Sequence, residues 1–137
     1  MKKIPKHYAI RPADAERIFE AHLASLAGKS SQTWYMNRRT IRTFLNATRH
    51  QNGHQDDYLH LDEAWLQRWM IWDSADLPPR HAEQRLGIVG RYLRALTQTG
   101  ITETDLMAEF RARHGQCSWE RLVPAVQSVD RMALSFR

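Results

Sequence analysis

The chain has little of what several common protein classes require. Cys117 is its single cysteine, so neither an intrachain disulfide nor a cysteine-rich zinc site is possible. No apolar run approaches the roughly 18–20 residues that cross a bilayer, and no apolar segment follows the lysines near the N-terminus. A glycine-rich phosphate loop of the Walker or dinucleotide-binding type is also missing. We therefore expect a soluble, cytoplasmic protein with no membrane partner.

Lysine is also scarce, so arginine carries most of the positive charge. The 137 residues include 20 Lys and Arg against 15 Asp and Glu, which gives a net charge of +5 with neutral histidine. Such a surplus favours a polyanionic partner. Most of these cations are arginines, and the guanidinium group is the better fork for phosphate oxygens and guanine edges. The composition is therefore compatible with binding to nucleic acid.

Helical periodicity dominates the sequence, and no segment of useful length alternates apolar and polar residues. A chain of this length fits one domain with a real hydrophobic core. We predict an all-α fold, a compact bundle of five or six helices. The first predicted helix runs from Pro12 or Ala13 to Ala27, the second from a cap at Ser30 or Ser31 to Thr48, and the third is short and starts at a cap at Asp62. The fourth runs from Pro79 to Gln98 and is ended by Gly100, and the fifth runs from a cap at Thr102 or Thr104 to His114. A sixth helical segment is predicted after Ser118, where Pro124 restricts its extent.

Three parts of the chain follow from these helices. Residues 1–12 are predicted to be a polar, basic arm, residues 13–115 the helical domain, and residues 116–137 a C-terminal helical extension or linker. Residues 50–60 are predicted to be a polar loop around Asn52-Gly53. The apolar helix faces predict one core, which contains Trp34, Ile41, Phe44, Leu45, Leu66, Trp69, Leu86, Val89, Leu93 and Leu96.

The helix from Pro79 to Gln98 has two faces of different chemistry. Its apolar face consists of Ala82, Leu86, Val89, Leu93 and Leu96. Its second stripe contains no acidic residue and consists of Arg80, Gln84, Gly87, Arg91 and Arg94. A helix of this kind is suited to lie against a phosphate backbone. An ordinary solvated arginine face accounts for the same pattern, so both interpretations stay open.

Metal and catalytic sites have weaker support. His50, His54 and His60 lie near two aspartates, but the intervening Asn-Gly indicates a turn rather than the helix that would align metal ligands. No catalytic signature surrounds Cys117, and the paired carboxylates lie in a turn and at a helix start, where caps and dipole partners are common. We predict solvated loop histidines, with no metal and no cofactor.

The third helix carries Trp65, Trp69 and Trp72 at helical spacing, which predicts one face of the core. One of the three rings could instead be exposed to a protein partner. A helical protein–protein interaction adaptor is therefore the alternative to a DNA-binding protein.

Three segments together resemble the core-binding domain of tyrosine recombinases, the phage integrase family, over about residues 14–100. The first is similar to the second helix of that domain and reads Ser30-x-x-Thr33-x-x-x-Asn37-x-x-x-Ile41-x-x-Phe44. The next is in the position of the third helix and begins Leu61-Asp62-Glu63-Ala64-Trp65. The last is similar to the fourth helix and reads Arg85-Leu86-x-x-Val89-x-x-Tyr92-x-Arg94-x-Leu96-x-x-x-Gly100. Two positions depart from the family pattern, because Asn37 replaces an aromatic residue and Gly90 replaces a common arginine.

The resemblance implies a SAM-like bundle that binds double-stranded DNA in recombination or in integration of a mobile element. Its catalytic set has no counterpart here: no His-x-x-Arg occurs, and the last tyrosine is Tyr92. The resemblance therefore implies a non-catalytic domain, associated with the nucleoid, that contacts other protomers or a recombinase through its first and last helices. By position, the implied DNA contacts are Thr33, Arg38, Arg39 and Arg42 on the second helix and Arg80, Gln84, Arg91 and Arg94 on the fourth. Arg85 also matches the motif, or else forms an intramolecular ion pair.

Overall fold

The computed structural model describes residues 6–51 and 56–113. Over these residues the chain forms five α-helices and one two-stranded sheet. In chain order the elements are β1 (His7–Ile10), α1 (Pro12–Ala24), α2 (Ser31–Arg49), β2 (Leu59–Asp62), α3 (Glu63–Ser74), α4 (Pro79–Gln98) and α5 (Leu106–Arg113). The mainly helical architecture is confirmed, and the predicted sixth segment lies outside the described residues. None of the five helices combines the length and apolar character of a membrane span.

Capping residues, a proline and a glycine set the ends of α2, α3 and α4 that the sequence predicted. Ser30 Oγ accepts a hydrogen bond from the amide three residues later (3.2 Å), and the Asp62 carboxylate does the same for α3 (2.7 Å). These are N-caps, which satisfy amides that have no partner inside the helix. The fourth helix begins at Pro79 and is followed by Gly100 at φ 80°, a left-handed conformation that glycine adopts without strain. The predicted bounds of α4 are confirmed.

Two predicted helix ends are wrong. The first helix ends at Ala24 rather than Ala27, because the following amides donate to carbonyls three residues earlier in tighter turns. At the start of α5, the Asp105 carboxylate accepts hydrogen bonds from the amides two and three residues later (3.1 and 3.2 Å). The two threonines predicted as caps do not cap α5. The Thr102 hydroxyl is hydrogen-bonded to that of Thr97 in α4, and the Thr104 hydroxyl is hydrogen-bonded to that of Tyr8 in β1.

The small sheet corrects the all-α prediction, and it includes residues 7–10 of the segment predicted to be a polar arm. Strands β1 and β2 pair antiparallel, with His7 opposite Asp62 and Ile10 opposite Leu59. Ile10, Leu59 and Leu61 are buried in the core. Each strand has four residues, and its partner lies about fifty residues away in the chain. Local periodicity does not reveal a pairing of this kind, because the signal lies in the partner strand.

Helix α4 lies at the centre of the fold and packs against α1, α2, α3 and α5. Nine of the ten predicted core residues are buried, and the exception is the half-buried Trp34. The Phe44 and Trp69 rings meet edge to face with centroids 5.0 Å apart. Tyr92 donates its hydroxyl hydrogen to the Ala15 carbonyl (2.8 Å), which ties α4 to α1. Burial raises the pKa of Tyr92, so its hydroxyl stays a neutral donor.

The tryptophan face of α3 is largely structural. Trp65 and Trp69 are buried, and the Trp65 indole donates to Thr48 Oγ1 (3.0 Å). Only Trp72 reaches the surface, with 37% of its area exposed. The prediction of core packing is therefore confirmed for two of the three rings.

Candidate nucleic-acid interface

A groove of about 730 Å³ lies between the exposed edges of α2 and α4. Four of the eight predicted DNA contacts line it: Thr33 and Arg39 from α2, and Gln84 and Arg91 from α4. Helical spacing places them there, because Gln84 and Arg91 are two turns apart on one edge of α4. Among the described residues that line the groove, none is Asp or Glu. The structure thus brings the two predicted helices together at one electropositive surface.

The floor of the groove is partly apolar and partly fixed by hydrogen bonds. Met36, Leu77 and Ile88 supply the apolar part. Asn37, which departs from the family pattern, is buried and donates to the Thr33 carbonyl (2.9 Å). Its carbonyl oxygen accepts from the ring of His22 on α1 (3.2 Å). Asn37 therefore holds the start of α2 against α1, which is a structural role.

Arg85 also lies at the groove but its charge is compensated. Its Nε and Nη2 donate to both carboxylate oxygens of Asp73, at 2.7 Å each, and its Nη1 lies 3.4 Å from Thr40 Oγ1. The Arg85 side chain is 18% exposed and the Asp73 side chain is 7% exposed. The expectation of an intramolecular ion pair for Arg85 is confirmed, and this arginine joins α4 to α3 and α2.

Arg39 and Arg91 differ from Arg85, because neither forms a salt bridge with a residue in the described ranges. Both are exposed. The Arg91 guanidinium lies over Gly87, with Nη1 only 3.5 Å from the place where a Cβ would stand. A Cβ at this position would make only an ordinary van der Waals contact with the guanidinium. The groove therefore has on each rim one guanidinium without a salt bridge to any residue that the structure describes.

The structure does not bring Arg42 to the groove. Its guanidinium forms a two-point ion pair with the Glu16 carboxylate on α1, in which Nη2 lies 3.0 Å from Oε2. It also lies 4.6 Å from the centroid of the Phe19 ring. The hydrogen bond to Arg42 lowers the pKa of Glu16, and the same contact raises the pKa of Arg42. Both side chains are partly exposed, so the pair is a surface clamp between α1 and α2.

The remaining predicted contacts lie outside the groove lining. Arg80 is exposed in the first turn of α4, and Arg94 is 64% exposed with Nε 3.9 Å from the Asp105 carboxylate. Arg38 is exposed and lies 5.9 Å from the centroid of the Trp34 ring. Gly87 is half-buried, and the other four members of the predicted polar stripe of α4 are exposed. The exposed arginines extend the positive surface beyond the groove.

The sequence reasoning missed a chain of imidazoles and carboxylates at the sheet. His7 Nδ1 lies 3.2 Å from Asp62 Oδ2, His7 Nε2 lies 2.8 Å from His60 Nδ1, and His60 Nε2 lies 2.7 Å from Asp56 Oδ1. His60, predicted as a solvated loop residue, is buried, and His54 lies outside the described residues. In the described part of the chain, no three or more His, Cys, Asp or Glu side chains are arranged so that they could hold a metal ion. These contacts hold β1 to β2.

Comparison with known proteins adds no family to this description: no protein-family model, no curated protein and no solved structure matches the chain. The functional assignment therefore depends on the residues and on their geometry.

Proposed function

We propose that this protein is a non-catalytic, double-stranded DNA-binding domain of the tyrosine-recombinase core-binding type, which acts in DNA recombination or integration of a mobile element. One observation carries the proposal. Arg39 and Arg91 stand on opposite rims of one groove, without a salt-bridge partner among the described residues, and no described acidic residue lines that groove. A surface with this charge distribution attracts a polyanion.

The chemistry of the groove suits a phosphate backbone. Each guanidinium presents a planar set of donors that matches two phosphate oxygens. The Thr33 hydroxyl and the Gln84 amide add neutral donors of the kind that position a protein on DNA. Arg38, Arg80 and Arg94 lie outside the groove and are exposed, so they can contact flanking phosphates. Phosphate contacts therefore supply most of the proposed affinity.

The adaptor alternative has less support in the structure. Two of the three tryptophans that suggested a protein-binding face are buried, and one of them is hydrogen-bonded inside the fold. The partly exposed Trp72 does not by itself form an apolar patch of the size that marks a protein interface.

Titration of the purified protein against duplex DNA over a range of salt concentrations tests the proposal. If four to six arginines neutralise phosphates, a plot of log K against log salt should have a slope of roughly −4 to −5. An uncharged polymer of similar size should not compete. A slope near zero, or no binding at low salt, would remove DNA as the partner.

A further inference from the structure

The outer face of α2, just beyond the groove rim, presents an exposed aromatic ring. Tyr35 is 64% exposed, the largest value for a large apolar side chain in the described ranges. Its ring meets that of Trp34 edge to face, with centroids 5.4 Å apart and planes at 89°. Trp34 is half-buried and lies beneath the Arg38 guanidinium. The Tyr35 ring is thus held by a packed neighbour while most of its surface stays open to solvent.

The residues of α2 around the Tyr35 ring are all basic or neutral. Arg38 and Arg39 follow Tyr35 by three and four residues, which places both on the same side of α2 as the ring. Helix α2 contains no Asp or Glu from Ser31 to Arg49. Arg39 also lines the groove, so the ring and the groove belong to one continuous surface. A single exposed tyrosine needs no explanation, but an aromatic ring one helical turn from two cations, beside a groove proposed to bind phosphate, points to a nucleic acid.

The form of that nucleic acid follows from the ring itself. In a continuous duplex the faces of the bases are stacked on each other, so a surface tyrosine meets sugar, phosphate or base edges but no open base face. An unpaired base offers its π-face, and aromatic stacking beside arginines that hold the backbone is the usual way in which proteins bind single strands.

We propose that Tyr35 stacks on an unpaired nucleobase of a strand that leaves the duplex bound at the α2–α4 groove. Arg38 and Arg39, one turn further along α2, then hold phosphates of the same strand. This inference rests on the proposed duplex binding and deepens it, because it makes a junction between paired and unpaired DNA the preferred ligand.

The test compares a blunt duplex with the same duplex carrying a short single-stranded tail, and uses a longer blunt duplex with the same number of phosphates as the charge control. The wild-type protein should bind the tailed duplex more tightly than the control by roughly 5- to 100-fold, the range of one base stacked on an aromatic ring. Tyr35→Ala should remove this preference and leave blunt-duplex affinity nearly unchanged. Tyr35→Phe should keep it, because the ring remains.

Tyr58→Ala provides the matched control, since it removes a second exposed tyrosine that is not on α2. A 2-aminopurine base at the first unpaired position reports stacking directly, and its fluorescence should fall with wild type and Tyr35→Phe but not with Tyr35→Ala. Equal affinity for tailed and charge-matched blunt duplexes would overturn the role of Tyr35 and leave duplex binding intact. Failure to bind either duplex would overturn both.

Discussion

The two sides of α2 use arginine in opposite ways. On the side facing α1, Arg42 is paired with Glu16 and covers the Phe19 ring, so its charge serves the contact between two helices. On the side facing the groove, Arg39 has no salt bridge with a described residue and is exposed. Only three positions separate these arginines. The difference lies in the neighbouring helix, since α1 offers a carboxylate and the described part of the groove lining does not.

The same contrast recurs on α4, where Arg85 is neutralised by Asp73 and Arg91 lies over a glycine. An arginine with a close carboxylate partner stabilises the fold, and an arginine without one is available to a ligand. A close carboxylate partner therefore separates Arg42 and Arg85 from Arg39 and Arg91, which we assign to the proposed DNA surface.

The largest effect should come from breaking the least exposed of these pairs. Asp73→Ala would leave the Arg85 guanidinium without its carboxylate in a site where it is only 18% exposed. We expect a loss of about 3 kcal/mol in the free energy of unfolding, the lower end of the range for removing one partner of a buried pair. Urea denaturation measures this loss. The control Glu103→Ala removes a carboxylate that is 80% exposed and should change stability little. A stable Asp73→Ala protein would show that Arg85 is not structural.

Substitution of an arginine that forms no salt bridge with a described residue should lower DNA affinity and leave the stability of the fold nearly unchanged. Arg91→Ala should leave stability within about 0.5 kcal/mol of wild type, as is usual for surface positions. Affinity for duplex DNA should fall by about 1.5 kcal/mol, or roughly tenfold, and by the same factor for every sequence if the contact is to phosphate. Competition between unrelated duplexes checks the second point. A sequence-dependent loss would place a base edge, rather than a phosphate, at Arg91.

Removing the Arg42–Glu16 clamp between α1 and α2 should have a smaller effect than the stability loss of Asp73→Ala or the affinity loss of Arg91→Ala. Arg42→Ala should lower stability by less than about 1 kcal/mol, because both members of the pair are more than one third exposed and water screens them. Duplex affinity should change less than twofold. Thermal unfolding and DNA titration of the same preparation give both numbers. A tenfold loss of affinity at unchanged stability would return Arg42 to the binding surface.

The smallest effect is a dependence on pH. The pKa of Glu16 is lowered in the folded protein, so the stability from this pair is fully present above the unfolded pKa of about 4.5 and is lost as pH falls through the lower folded pKa. Wild type should therefore lose slightly more stability than Glu16→Gln between about pH 5 and pH 3, by less than about 1 kcal/mol. Parallel stability curves for the two proteins would contradict this contribution.

Sequence patterns predicted the parts of this molecule that depend on neighbours along the helix. The caps at Ser30 and Asp62, the bounds of α4 and nine of the ten predicted core residues follow from helical spacing and terminal residues. The exposed stripe of α4, with Arg91 on it, follows from the same spacing.

The parts that depend on distant residues could not be predicted in this way. The pairing of β1 with β2 and the contact between His7 and His60 join positions about fifty residues apart. Whether the charge of an arginine is compensated also depends on a carboxylate from another helix, as for Arg42 and Glu16. The sequence therefore predicted a basic surface, and an ion pair as one alternative for Arg85, but not that Arg42 is compensated and Arg39 and Arg91 form no salt bridge with a described residue.

The salt dependence of duplex binding tests the central claim most directly, that the groove arginines bind phosphate and the clamp arginine does not. Each phosphate contact contributes about −0.9 to the slope of log K against log salt. The double variant Arg39→Ala/Arg91→Ala should therefore have a slope roughly 2 units shallower than wild type, and Arg42→Ala should keep the wild-type slope. An unchanged slope in the double variant, or a slope reduced by Arg42→Ala, would contradict the account.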